Sequence, residues 1–184
     1  SIERFDFSND TATAVVKGPL TITKYGSSAA GNDDYGYVAG GSSPTVSIVW
    51  RIDYASDSSD AVVKGPVTRV ARQMGGTGNK SYGYFAGGED SPGDKTWIDR
   101  VDYSNDTATA SPKGPLSEIR GYFEGTSSRA VGHPILGSTV AEFTNTLPRQ
   151  ISPASQHGYW FTDNKSGGQS YSQRISYHND TVVG

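Results

Sequence analysis

Short apolar segments alternate with glycine-rich and polar turns along the first two thirds of the chain. Residues 35–39 (Tyr-Gly-Tyr-Val-Ala) are mostly apolar and end on Gly40-Gly41, which permits a positive φ where the chain turns. Residues 51–54 (Arg-Ile-Asp-Tyr) alternate, so one strand face carries Arg and Asp and the other carries the apolar and aromatic residues. Asn-Asp or Ser-Ser-Asp turns and Lys-Gly-Pro corners follow, and the proline marks a strand end. The pattern predicts short β-strands joined by turns.

These segments recur at a nearly fixed period. The arginine that opens the Arg-apolar-Asp-Tyr segment occurs at Arg4, Arg51 and Arg100, at spacings of 47 and 49 residues, and a fourth copy with Arg174 follows 74 residues later. The Tyr-Gly-Tyr motif also recurs after 47 residues, at Tyr82. Two independent motifs that share one period indicate a repeat protein. The predicted units span about 1–34, 35–81 and 82–130, followed by an irregular 131–184.

Each unit is predicted to form a four-stranded antiparallel sheet. Its strands are the Tyr-Gly-Tyr segment, the Arg-apolar-Asp-Tyr segment, the residues before Lys-Gly-Pro, and a fourth strand at 24–30 or 70–75. Four strands in ~45–50 residues is the spacing of a β-propeller blade, and the chain has room for about four. The predicted fold class is therefore all-β, a β-propeller with an irregular last blade. Because the arginine segment occurs at both ends, a closed ring and a piece of a longer array both remain open.

The last third departs from the pattern. Residues 131–137 lie 49 residues after Tyr82, in register with the Tyr-Gly-Tyr motif, and residues 139–143 resemble a degenerate second strand. Residues 158–163 then form a new apolar segment that lacks Gly-Gly. We interpret residues 130–157 as an incomplete or inserted blade, because terminal units of repeat proteins are commonly atypical.

Composition narrows the class of protein further. Glycine, serine and threonine make up 63 of the 184 residues, whereas leucine occurs four times and methionine once, which argues against a helical bundle. The absence of cysteine excludes disulfides, thiolate metal sites and cysteine nucleophiles. A net charge of −3 gives no general attraction to nucleic acid. No apolar run approaches the ~18 residues of a membrane span, so no membrane insertion is expected.

The order of the motifs resembles kelch repeats, in which a Gly-Gly strand is followed by an aromatic-bearing strand and a proline-containing link. The chain departs from that family because Trp50 and Trp97 precede the Asp-Tyr pair instead of following it. Three sequence motifs are similar to repeats in virion structural proteins of marine tailed phages of cyanobacteria. They are Ser-Asn-Asp-Thr-Ala-Thr-Ala, Lys-Gly-Pro-Leu and Tyr-Gly-Tyr-Phe-Ala-Gly-Gly. That resemblance covers residues 2–125 well and 130–184 poorly. It implies a kelch-like propeller in a virion or fibre.

The repeated arginines are the first candidate site. Placed around an axis, they would bind an anion or an acidic partner. The favoured alternative pairs each arginine with the aspartate two residues along or across the blade, an interaction worth only ~0–1 kcal/mol if exposed. The arginines are Arg4, Arg51, Arg100 and Arg174, and the aspartates are Asp6, Asp53 and Asp102.

Aromatic and asparagine residues supply two further candidates. Trp50, Trp97 and Trp160 would form a sugar-stacking platform, although packing in the core or between blades is the favoured interpretation for aromatic residues here. Five Asn-x-Ser/Thr sequences would be glycosylated only in a secreted eukaryotic protein, and turn chemistry already explains three of them. They lie at Asn9, Asn79, Asn105, Asn164 and Asn179.

The sequence shows only weak signs of an enzyme active site. The three histidines, His133, His157 and His178, lack zinc-site spacing, and the acidic turns lack the ligand spacing of a calcium loop. Residues 75–78 (Gly-Gly-Thr-Gly) resemble a phosphate loop but precede no predicted helix. The copper oxidases built on kelch-like propellers need a cysteine, which this chain lacks. No catalytic residue, metal or cofactor is predicted.

The sequence therefore predicts a non-catalytic structural or adhesive component of an extracellular or virion assembly, of the phage tail, fibre or decoration type. Its expected partners are neighbouring protein subunits and a host-surface glycan. A kelch-type module that binds protein or glycan is the alternative. A glycan-active propeller hydrolase is the third and least favoured.

Overall fold

A computed structural model describes residues 2–9, 11–91 and 93–127, together with the backbone of three strands between 157 and 183. In these residues the only helices are two single 3₁₀ turns, Tyr54–Ser56 and Tyr103–Asn105. No helix in this part of the chain has the length and apolar character needed to cross a membrane. The strands are β1 (Ile2–Arg4), β2 (Val15–Lys17), β3 (Ser28–Gly31), β4 (Tyr35–Ala39), β5 (Val49–Asp53), β6 (Val62–Lys64), β7 (Gly75–Gly78), β8 (Tyr82–Ala86), β9 (Ile98–Asp102), β10 (Ser111–Lys113), β11 (Glu124–Ser127), β12 (His157–Thr162), β13 (Tyr171–Ser176) and β14 (Thr181–Val183).

The strands form four antiparallel sheets in which sequence neighbours pair. Sheet 1 contains β1 and β2, and sheets 2, 3 and 4 each contain four strands in the orders β3-β4-β5-β6, β7-β8-β9-β10 and β11-β12-β13-β14. The prediction of an all-β protein with four-stranded antiparallel sheets is confirmed. Strands β2, β6 and β10 each end on the lysine of Lys-Gly-Pro, as predicted. The Gly-Gly pairs that follow β4 and β8 have positive φ, between 57° and 107°.

Strand register confirms the four copies of the arginine segment. In sheets 2, 3 and 4 the arginine lies opposite a tyrosine of the preceding strand, and in all four sheets it lies opposite the first or last residue of the following strand. The aligned pairs are Arg51 with Tyr37 and Val62, Arg100 with Tyr84 and Ser111, Arg174 with Tyr159 and Val183, and Arg4 with Val15.

The predicted fourth strand belongs to a different sheet. Strands β3 and β7 begin at Ser28 and Gly75, later than the predicted 24–30 and 70–75, and each pairs with the Tyr-Gly-Tyr strand that follows it. The sheets are therefore offset by one strand from the predicted units. A period fixes the spacing of equivalent residues but not the point at which one sheet ends, and here the Lys-Gly-Pro corner carries the chain into the next sheet.

Sheet 4 is more regular than predicted for 131–184. The partner of β11 is β12, so residues 157–162 take the place predicted for 131–137. Residues 131–137 and 139–143 lie outside the described residues. The predicted apolar strand at 158–163 is confirmed, one residue earlier.

Successive sheets pack against each other through two apolar clusters. The first joins Tyr37 and Val49 of sheet 2 to Phe85 and Val101 of sheet 3. The second joins sheet 3 to the link that leads into sheet 4 and contains Tyr84, Ile98 and Phe123, among others. Fully burying one such side chain contributes about 1.5–3 kcal/mol, more than an exposed ion pair supplies. Stacking of the sheets is therefore the main source of stability.

The Lys-Gly-Pro corners also contact the next sheet directly. The Gly65 amide donates to the Asp106 carbonyl at 2.8 Å, and a Cβ at Gly65 would overlap the carbonyl oxygen of Ala108. Gly18 is related in the same way to Asp57 and Ser59 of the preceding interface. Glycine is required here because the backbones of two units approach each other closely.

We predict that Gly65→Ala lowers the free energy of unfolding by about 2–3 kcal/mol, because the new methyl group forces the two backbones apart. Gly93→Ala is the matched control: a Cβ there meets no atom within 4 Å, but its φ is +76°, so only the conformational cost of ~1 kcal/mol remains. Urea unfolding of both variants measures the difference. Equal losses would mean that Gly65 is not in close contact.

Candidate functional site

The repeated arginines reach the next sheet. Arg51 in β5 contacts the Asp106 carboxylate at 2.8 Å, and Lys64 at the end of β6 contacts its other oxygen at 3.1 Å. The Tyr37 hydroxyl donates a third hydrogen bond to Asp106 at 2.9 Å. Asp106 lies in sheet 3, just after the 3₁₀ turn, and is only 6% exposed. Three side chains of one sheet thus hold one carboxylate of the next.

The same arrangement occurs one interface earlier. Asp57 follows the first 3₁₀ turn and receives Arg4 at 2.7 Å and Lys17 at 3.0 Å, both from sheet 1. This copy is more open, since the Arg4 side chain is 59% exposed whereas that of Arg51 is 24% exposed. The repeat therefore preserves the contact between units as well as the sheet within each unit.

The predicted pairing of Arg4 and Arg51 with the aspartate two residues along is wrong. Asp53 accepts a hydrogen bond from the Ala55 amide at 2.9 Å and caps the 3₁₀ turn, and Asp102 does the same for Ser104. Asp6 likewise accepts from the Ser8 amide. Because these carboxylates cap local turns, Arg4 and Arg51 pair with the aspartate of the next sheet instead. Arg100 lies at the equivalent register position, and the side chain of Arg174 is outside the described residues.

The surrounding charges set the protonation of this cluster. Burial opposes ionisation of Asp106, but the hydrogen bonds from Lys64 and Tyr37 outweigh it and lower the pKa of this carboxyl below 3.8. The hydrogen bond from Lys17 lowers the pKa of Asp57 in the same direction. Burial, reinforced by Asp106, raises the pKa of Tyr37 far above 10, so its hydroxyl stays a donor. The carboxylates are ionised and fully occupied by protein groups.

Tyrosines extend the interface between sheets 2 and 3. The rings of Tyr37 and Tyr103 stack across it, with centroids 4.5 Å apart and an angle of 11° between planes. The Tyr103 hydroxyl lies 2.7 Å from the position that a Cβ of Gly83 would occupy, which is too close for a side chain there. The glycine of Tyr-Gly-Tyr is therefore needed to admit the tyrosine of the Arg-apolar-Asp-Tyr segment. Two of the arginines also cover an aromatic ring: Arg51 lies 4.4 Å from the Tyr35 centroid and Arg100 4.2 Å from that of Tyr82.

The tryptophans do not form a sugar-stacking platform. Trp50 is fully buried, and its indole N–H donates to the Thr21 hydroxyl at 2.8 Å. Trp97 is 7% exposed, with Arg69 over its ring at 5.7 Å. The favoured interpretation, packing in the core, is confirmed for Trp50 and Trp97, whereas the alternative role as a sugar-stacking platform is wrong for these two, because neither ring has an open face. Trp160 lies in β12, and its side chain is outside the described residues.

The equivalent of Trp50 in sheet 3 is a buried aspartate that the sequence analysis missed. Asp99 is fully buried and accepts from the Thr68 amide at 2.6 Å and from the Thr68 hydroxyl. Thr21 and Thr68 occupy the same place after the Lys-Gly-Pro corner. Thr21 accepts a hydrogen bond from an indole, whereas Thr68 donates to a carboxylate. Burial raises the pKa of Asp99, although both hydrogen bonds oppose it. The repeated threonine was the sequence feature that marked this site.

The remaining candidates lie in turns or strands. Asn79, which is not one of the three Asn-Asp-Thr sites, accepts from the amides of Ser81 and Tyr82, both at 2.8 Å, and so stabilises a turn. Asn9 and Asn105 are exposed in turns, whereas Asn164 and Asn179 are outside the described residues. Residues 75–78 form β7 and not a phosphate loop. His157 opens β12, and His133 and His178 are not described. In the described part of the chain no three acidic, histidine or cysteine residues are grouped to hold a metal.

Compared with known proteins, the chain matches no family model and no curated protein sequence. Its function must therefore be argued from the residues themselves.

We predict that Asp106→Ala lowers the free energy of unfolding by about 2–3 kcal/mol at pH 7, because Arg51, Lys64 and Tyr37 lose a shared acceptor. Asp57→Ala, the matched variant in the more open copy, should lose less. Since the pKa of Asp106 is lowered by folding, its contribution is complete above the unfolded value of 3.8 and is lost as the pH falls through the folded value. Urea unfolding at pH 7 and pH 3 measures this; an unchanged difference between wild type and variant would contradict it.

Asp99 should show the opposite pH dependence. Its pKa is raised by folding, so wild-type stability decreases as the pH rises from 3.8 through the folded value. In Asp99→Asn this loss is absent, and the stability of the variant relative to wild type should increase between pH 3 and pH 7. Thermal unfolding across that range measures the trend. A relative stability that does not change with pH would show that the Asp99 carboxylate is not desolvated.

Proposed function

We propose that the chain is a non-catalytic structural or adhesive component of an extracellular or virion assembly, of the phage tail, fibre or decoration type, built as a kelch-like β-propeller of about four blades. The observation that carries this proposal is the contact between units. The same Arg-and-Lys pair holds the same turn aspartate at two successive interfaces. A chain in which the contacts between units recur together with the sheets themselves is suited to forming a rigid array.

The direction of this contact supports a ring or an extended stack. Sheets 1 and 2 each supply an arginine and a lysine to the turn aspartate of the following sheet, so the two sides of the contact differ and the interface is heterologous. Repeated heterologous contacts close into a ring or continue as an open array. The first strands β3, β7 and β11 contact one another in turn, and Thr77 of β7 donates to the Thr126 carbonyl of β11 at 2.9 Å. Contact between first strands, with the last strands at the outside, favours the radial arrangement of a propeller.

The state of the ionisable groups favours a structural role over catalysis. Asp57 and Asp106 are bound by cations of the neighbouring sheet, and Asp99 is buried against Thr68. A general acid or base needs an accessible proton and a pKa near the working pH. The pKa values of Asp57 and Asp106 are lowered, and Asp99 is fully buried, so none of the three meets both conditions.

The proposal is tested by locating the chain and by assaying it. Mass spectrometry of purified virions and of secreted material from the source should recover its peptides, enriched about tenfold or more over a cytosolic marker. The purified chain, incubated with polysaccharides, should release no new reducing ends. Peptides confined to the cytosolic fraction would overturn the structural role. Sugar release that is lost on mutating one acidic loop residue would favour the hydrolase alternative.

A further inference from the structure

A row of residues joined by hydrogen bonds lies at one end of the sheets, with exposed tyrosines at its ends and partly or fully buried polar residues between them. Tyr25 and Arg72 lie three residues before β3 and β7, and Tyr122 lies two residues before β11. Ser42 and Glu89 follow the Gly-Gly pairs that end β4 and β8. Links and loops from three sheets thus meet at this end, and loops held by a rigid scaffold are where binding residues concentrate. These five residues are called the tyrosine–arginine row.

The members of this row are connected in sequence. The Ser42 amide donates to the Tyr25 carbonyl at 2.8 Å, and Arg72 donates to the Ser42 hydroxyl at 3.5 Å. Arg72 forms an ion pair with Glu89 at 2.8 Å, and the Tyr122 hydroxyl donates to the same Glu89 oxygen at 3.3 Å. Tyr25 and Tyr122, at the two ends, are 62% and 51% exposed. The row therefore presents two exposed aromatic rings together with the partly exposed charged groups of Arg72 and Glu89, whereas Ser42 is buried.

Backbone strain marks the Tyr122 end of the row. Gly26, Gln73 and Tyr122 occupy equivalent positions before β3, β7 and β11 and share a left-handed conformation, with φ of 64°, 55° and 59°. Backbone hydrogen bonds link them, since the Gln73 amide donates to Gly26 and the Tyr122 amide to Gln73, at 2.7 and 3.0 Å. Glycine adopts this conformation freely, whereas a bulky residue does so only when its surroundings enforce it. A strained tyrosine whose ring is half exposed contributes little to the core, and such strain concentrates at functional sites.

We propose that the tyrosine–arginine row binds a neutral saccharide. The inference deepens the adhesive role proposed above and rests on it. Tyrosine rings offer an apolar face and a polar rim, which suits the C–H face and hydroxyl edge of a pyranose. Arg72 and Glu89 supply donors and acceptors for hydroxyl groups, and their charges cancel, which disfavours an anionic sugar. The row contains no aliphatic side chain of the kind that anchors a peptide or protein in a pocket.

The test uses the whole chain and isothermal titration calorimetry. The probes are neutral tetrasaccharides of glucose, galactose, mannose or N-acetylglucosamine, with one sialylated and one sulfated oligosaccharide for comparison. At least one neutral probe should bind. Tyr122→Gly should weaken that binding about tenfold or more while the unfolding midpoint stays the same or rises, because glycine relieves the strain. Gln73→Gly relieves the same strain one unit earlier, outside the row, and should leave the affinity unchanged.

Three results would overturn the inference: no neutral probe binds, Tyr122→Gly binds as well as wild type, or only the charged probes bind. Loss of affinity in both glycine variants would also contradict it, because the backbone and not the tyrosine ring would then be responsible. None of these results bears on the structural role, which is judged by where the chain is found. A chain found only in the cytosol that still bound a neutral saccharide would contradict the proposed function and leave the binding site standing.

Discussion

Burial of both faces of a central sheet is the constraint on which the rest of the structure depends. Tyr84 and Phe85 are neighbours in β8, so they point to opposite faces, and both are fully buried. Phe85 lies in the apolar cluster shared with sheet 2, and Tyr84 lies in the cluster shared with the link between sheets 3 and 4. A single sheet cannot bury both residues. A central unit such as sheet 3 therefore depends on a neighbour on each side, and the repeat supplies those neighbours.

Ion pairs determine how the sheets are aligned, and apolar packing supplies most of the energy. Apolar contacts are non-directional and would tolerate a small slip of one sheet over the next. The Asp106 carboxylate tolerates no such slip, since Arg51, Lys64 and Tyr37 all point at its two oxygens. Breaking this cluster costs more than forming it gains, because the remaining groups would be left desolvated. The cluster therefore selects one alignment of the sheets.

Much of the fold follows from the sequence, because period, alternation and turn chemistry are local. The strands around Arg51 and Arg100 and the Lys-Gly-Pro corners are where they were predicted. The partners of the arginines were not predictable in this way, since Arg51 pairs with the distant Asp106 whereas the nearby Asp53 caps the 3₁₀ turn. The choice between a packed and an open indole could not be made from the sequence for a similar reason. Exposure of an indole depends on what covers it, and Thr21 lies 29 residues away from Trp50.

Departures from the repeat carry more information about function than the repeat itself. Where the copies agree, as at the Lys-Gly-Pro corners, the shared residue is explained by packing between units. Where the copies differ, packing between units does not determine which residue occupies the position. Gly26 shows that the position before β3 is left-handed, and the period then assigns the same conformation to Gln73 and Tyr122. The alignment of these three positions needs only the sequence, but their left-handed φ values and the half-exposed ring of Tyr122 beside Glu89 are seen only in the structure. Tyr122 combines a left-handed backbone with a ring outside the apolar core, and this combination is the reason that the binding site is proposed at its end of the row.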